Sequence, residues 1–138
     1  MIDWIKNVLI DLTLLPGIWA FLALNRHSKE IVKEDLCRIP TTDTNHMIRS
    51  LNSALKGNRR FRSILLYRIN TGGNWASRAF FRIFRIMHPE SPGIEISGKI
   101  EGGLRIIHNC CVIHVEHAGK NLSVGPFVVI GKSHDGLP

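Results

Sequence analysis

Four histidines crowd the last third of this 138-residue chain: His108, His114, His117 and His134. Imidazole titrates near neutrality, so a well-placed histidine can act as a general base toward an attacking hydroxyl. It is also a common zinc ligand. His108, His114 and His117 stand six and then three residues apart. Two kinds of chemistry therefore compete: proton transfer by one histidine, or metal ligation by three. The three cysteines, Cys37, Cys110 and Cys111, offer neither a disulfide framework nor zinc-ligand spacing. A reducing cytoplasm is the setting they suggest.

The element that must position these histidines is read from a period of six. From Ile94 to Asp135 the chain divides into seven hexads, whose first residues are Ile94, Ile100, Ile106, Val112, Ala118, Val124 and Ile130. All are apolar, and the second positions drift toward glycine. Helices need apolar spacings of three and four, and strands need two. A period of six fits a short extended segment that bends and starts again, with three segments to a turn of a parallel β-helix. Residues 18 apart, such as Ile94 with Val112 and Val112 with Ile130, would then stack inward, each turn stabilised by its neighbours. His108 and His114, both third in their hexads, would face outward on adjacent faces.

Residues 1–90 read differently. Met47, Ile48, Leu51, Ala54 and Leu55 recur at helical spacing, with N-cap candidates Thr41, Thr42, Asp43 and Thr44 upstream and Gly57-Asn58 as a stop. Phe61, Ile64, Leu65 and Ile69 form the next stripe, ended by Gly72-Gly73. Ala76, Ala79, Phe80, Ile83, Phe84 and Met87 form a third, with Arg78, Arg82 and Arg85 off it. Together with an apolar stretch from Leu12 to Leu24 they predict three or four helices. Pro89, Pro92 and Gly93 mark the passage into the hexads, so the fold class is α+β: a helical region 1–90, then a β-helix over 91–138.

Composition narrows the partners. The net charge is +7, and between Asp43 and Glu90 nine basic residues meet no acidic one: Arg49, Lys56, Arg59, Arg60, Arg62, Arg68, Arg78, Arg82 and Arg85. The simplest reading is a solvated basic face; the functional one is a surface for phosphates, acidic partners or anionic lipid. No nucleic-acid-binding motif accompanies the charge. The Leu12–Leu24 stretch is shorter than the roughly 20 residues that span a bilayer. Asp3 and Asp11 do not suit a signal peptide. A helix packed on the protein is the first reading, and peripheral membrane contact the second.

The hexads, with the run Gly103-Leu104-Arg105-Ile106-Ile107-His108, resemble the serine acetyltransferases and related bacterial O-acetyltransferases. The Phe61–Arg68 segment is similar to that family's FR…YR stretch, Ile94-Glu95-Ile96 to its solenoid opening, and Gly131-Lys132 with Gly136-Leu137-Pro138 to its glycine-rich loop. The resemblance runs from about Phe61 to Pro138. It implies a left-handed parallel β-helix after a helical region, a trimer-based homo-oligomer, and acetyl-CoA as co-substrate with no bound cofactor or metal. It implies that His108 takes the proton from the serine hydroxyl that attacks the thioester. Glu95 falls where the family has the aspartate that orients this histidine. The family's second histidine precedes the loop proline; Leu137 holds that place here, and His134 is the nearest substitute.

The family continues for further coils where this chain stops at Pro138, so a truncated chain with little or no transferase activity is the expectation. L-serine is the leading acceptor, and a sugar hydroxyl of a surface polysaccharide the near alternative. A non-catalytic trimeric assembly module is the second reading. A zinc enzyme of the γ-type carbonic anhydrase kind is the third, with spacings that depart from that class.

Overall fold

The computed structural model describes residues 2–40 and 46–131, with side chains from residue 9 onward. Five α-helices come first: α1 (Ile2–Leu22), α2 (Arg26–Cys37), α3 (Met47–Gly57), α4 (Arg59–Gly72) and α5 (Trp75–Met87). Five strands follow: β1 (Ile94–Ile100), β2 (Arg105–Ile106), β3 (Cys111–Ala118), β4 (Ser123–Val124) and β5 (Val129–Ile130).

The helix starts share one device. Asn25, Asn58 and Asn74 each accept a hydrogen bond from the backbone N–H three residues on, at Ser28, Phe61 and Ser77, which satisfies an otherwise unpaired donor. The glycine stops at 57 and 72–73 hold as read. The fifth helix, beyond the three or four expected, is α2. Its charged sequence RHSKEIVKEDLC shows few apolar positions, yet Val32 and Leu36 are buried. The N-cap candidates at 41–44 lie outside the described residues, and His46 stands at the α3 cap without a side-chain bond.

The α+β class stands in its coarse form, but the left-handed β-helix does not. The described strands form a three-stranded parallel sheet, β1-β3-β5, and a separate two-stranded parallel sheet, β2-β4. A solenoid must bend after every hexad. Instead β1 runs through its first hexad boundary for seven residues, and β3 crosses two boundaries in eight. The register also departs from uniform 18-residue stacking. Ile94 pairs with Cys111 and Val112 with Val129, 17 residues apart, whereas Ile106 pairs with Val124 at 18. A bulge between Ser97 and Lys99 carries the change within β1. Gly98, at φ +98, sits there because a Cβ would lie 1.6 Å from the Val115 carbonyl oxygen. Ile94 therefore does not stack on Val112, nor Val112 on Ile130. Of the first-position residues only Ile100, Ile106 and Val124 are buried, and Leu104, Cys111 and Ile113 complete the centre.

Two apolar clusters result. One joins the helices through Leu14, Phe21, Leu51, Leu55, Phe61, Phe81 and Phe84. The other joins α4 to the strands, with Ile64 and Tyr67 against Ile100, Leu104, Ile106 and Ile113.

Two arginines read as basic surface are core residues, 6% and 4% exposed. Arg62 donates to the Leu55, Lys56 and Pro89 carbonyls, closing the end of α3. Arg68 makes a two-pronged bond to Asp35 of α2, Nε to Oδ2 at 2.8 Å and Nη2 to Oδ1 at 3.1 Å. It also donates to the Ile100 and Glu101 carbonyls at 2.5 and 2.8 Å. Asp35 accepts in turn from the Leu104 amide at 2.7 Å. Burial raises the Asp35 pKa above 3.8, and Arg68 and the amides of Leu104 and Gly103 pull it back. Removing one partner leaves a buried, uncompensated charge. Asp35→Ala or Arg68→Met should each cost about 3–5 kcal/mol in urea denaturation, and the apolar pair Asp35→Leu/Arg68→Met should cost less than either.

Candidate functional site

His108 lies in the turn between β2 and β3 and is exposed. The chain reaches it from a buried anchor: Leu104 and Ile106 sit in the core, so the outward residues after them fall at Ile107 and His108. The turn is fixed on both sides. Before it, Arg60 Nη1 of α4 donates to the Ile107 carbonyl. After it, the hydroxyl of the buried Ser91 donates to Asn109 Oδ1 at 2.6 Å. Cys110 closes the turn with left-handed backbone at φ +62. Its carbonyl accepts from the Phe127 amide at 3.1 Å, and the Cys111 amide donates to Gly93 at 2.9 Å.

The Phe127 bond brings an aromatic ring to His108. Phe127, itself at φ +56 and 78% exposed, sets its ring centroid 6.2 Å from the imidazole at an interplanar angle of 32°. Ile107 beside it and Val129 beyond it are also exposed. The arrangement offers an open imidazole beside an apolar wall, whose ring nitrogen could accept a proton from a hydroxyl lying in the ring plane. Ile107 also lines a cavity of about 250 Å³, together with Asp35, Arg38 and Arg60 among others. Arg38 Nη2 donates to Ser123 Oγ at 3.0 Å, while its buried Nε has no partner among the described residues.

Glu95 does not join His108. It opposes Val112 in the register, so its side chain falls toward His114, two residues along the same face of β3. Glu95 Oε2 lies 3.7 Å from His114 Nε2, and Ser97 Oγ shares a hydrogen bond of 2.5 Å with His114 Nδ1. Hydroxyl, imidazole and carboxylate thus stand in the order of a nucleophilic triad. The carboxylate is beyond hydrogen-bond range, however, and both Glu95 and His114 are mostly in water, so we read a surface polar row. His117 pairs with Glu101 at 3.4 Å. His108, His114 and His117 thus have separate partners, and no group of three or more metal-ligating side chains occurs among the described residues. His134 lies outside the described residues, as do Lys132 and the 136–138 segment.

Sequence reasoning missed Arg60, Ser91 and Phe127. Only Phe127 carried a signal, an aromatic directly after Gly125-Pro126, where a turn exposes it. Comparison with protein-family models, with curated proteins and with solved structures finds no match for this chain.

If the two tethers hold the turn, removing them loosens it without unfolding the protein. Arg60→Ala/Ser91→Ala should speed amide exchange at Cys111 and Phe127 by about fivefold or more, as expected from losing hydrogen bonds of roughly 1 kcal/mol each. Exchange at the α4 amides should stay as in the parent.

Proposed function

We propose that this chain is an O-acetyltransferase that moves the acetyl group of acetyl-CoA to a hydroxyl, with His108 as the general base. The observation that supports it is the presentation of His108: exposed, on a turn tethered by Arg60 and Ser91, at the end of the transferase-like run Gly103–His108. The reading rests on that local segment, not on a closed β-helix.

In the reaction the acceptor hydroxyl gives its proton to an imidazole nitrogen of His108, and its oxygen attacks the thioester carbonyl. The tetrahedral intermediate expels the CoA sulfur, which takes the proton back from the imidazolium. Arg38 and Arg60, lining the cavity next to Ile107, provide cationic ground for the CoA phosphates. Assembly into homo-oligomers is proposed on the family resemblance alone. Glu95 has no part in the step, because it faces His114.

L-serine remains the leading acceptor by resemblance. The Phe127 ring beside His108 favours a second: the C–H face of a sugar ring stacks on an aromatic side chain, which free serine has no ring to match. The test is product analysis by mass spectrometry after incubation with acetyl-CoA and L-serine or a panel of sugars. His108→Gln should lower acetylated product at least a hundredfold, and Glu95→Gln should change it less than threefold. Unchanged product in His108→Gln would contradict the transferase reading and favour a non-catalytic assembly role.

A further inference from the structure

Helices α1 and α5 pack side by side, and their outer surface carries several exposed large apolar side chains. The seam is marked by Thr13 and His88, 2.7 Å apart, and by the edge-to-face contact of Trp19 with Phe80 at 5.6 Å. Inward of the seam Leu14, Gly17, Phe81 and Phe84 are buried. Outward, Leu12, Trp19 and Leu22 of α1 and Ile83, Ile86 and Met87 of α5 are exposed. Trp75, opening α5, and Ile86, near its end, are each 83% exposed. An exposed apolar cluster of this kind marks an interaction site.

Charge identifies what covers it. Arg78, Arg82 and Arg85 follow one another along α5 and are all exposed. Arg78 donates to the Asn70 carbonyl, and Arg85 pairs with Glu90. The guanidinium of Arg82 has no partner among the described residues, and no acidic residue occurs between Asp43 and Glu90. A second copy seated on this face would bring the same arginines against each other in a self-complementary contact. A nucleic acid would match the arginines but leave Ile86, Met87 and Leu12 uncovered. A bilayer with anionic headgroups matches both halves: aliphatic side chains enter the acyl boundary, tryptophans sit at headgroup level, and arginines meet phosphates. No described helix is long and apolar enough to cross a membrane, so the contact lies in the plane of the surface.

We propose that the α1–α5 face seats the protein on anionic bilayer surfaces, through Trp19, Trp75 and Ile86 together with Arg78 and Arg82. This inference is independent of the acyl-transfer reading. Its test is flotation of the full chain with phosphatidylcholine vesicles, with and without phosphatidylglycerol, at low and high salt. The protein should float with the anionic vesicles, at least tenfold more than with neutral ones, and less at high salt. Arg78→Gln/Arg82→Gln and Trp75→Ser/Ile86→Ser should each lower the partition coefficient about tenfold, with the melting temperature of the parent, since all four side chains are exposed. Three results would overturn the proposal: no flotation with either vesicle, equal flotation with both, or parental binding by both variants. Concentration-dependent self-association that Trp75→Ser/Ile86→Ser abolishes, without vesicle binding, would assign the face to a second copy.

Discussion

The pairing of Asp35 with Arg68 is the constraint on which the two halves of the molecule depend. One guanidinium reaches α2 through a carboxylate and the end of β1 through the Ile100 and Glu101 carbonyls. The same carboxylate holds the Leu104 amide, at the turn that leads into β2. Helix, strand and turn therefore converge on a single buried charge pair. Burial opposes the charge on Asp35, so the pair contributes geometry more than net stability. The turn it holds is pressed close to its neighbours. A Cβ at Gly102 would lie 1.8 Å from Glu34 Oε2, and Gly103, at φ +83, would place one 2.3 Å from Asn121 Oδ1. Gly102 lets the turn approach α2, and Gly103 supplies the positive φ and the close approach to Asn121.

From that anchor the position of His108 follows. Leu104 and Ile106 are fixed in the core, the backbone emerges at Ile107, and Arg60 and Ser91 tether the turn from α4 and from the segment before β1. The proposed general base is therefore carried by a loop whose tethers come from elsewhere in the fold. Pre-organisation of this kind is what a general base requires, because proton transfer falls off steeply with misplacement.

Much of the helical half is legible in the sequence, since glycine stops and apolar stripes are local signals, whereas the caps at Asn25, Asn58 and Asn74 emerge only in the structure. Helix α2 is not legible: its stripe is narrow, and it is held by Asp35, whose partner lies 33 residues away. The hexads pointed to parallel strands with an 18-residue offset, and Ile106 with Val124 keeps it. The larger sheet begins at an offset of 17 and returns to 18 only past the bulge at Gly98, and such backbone irregularities leave little trace in an apolar period. Glu95 illustrates the same limit at the site. A shift of one residue in register directs its carboxylate to His114, and no spacing argument reveals that. Arg62 and Arg68, counted as surface charge, are buried because carbonyls and a carboxylate await them.

If acetyl-CoA and its acceptor meet at the His108 turn, flanked by Phe127 and by the Arg38–Arg60 cavity as proposed, chemical-shift mapping of the isotope-labelled protein during an acetyl-CoA titration will show it. Saturable changes should be largest at Ile107, His108, Phe127 and the side chains of Arg38 and Arg60. Changes confined to other surfaces, or none at millimolar acetyl-CoA, would contradict this reading.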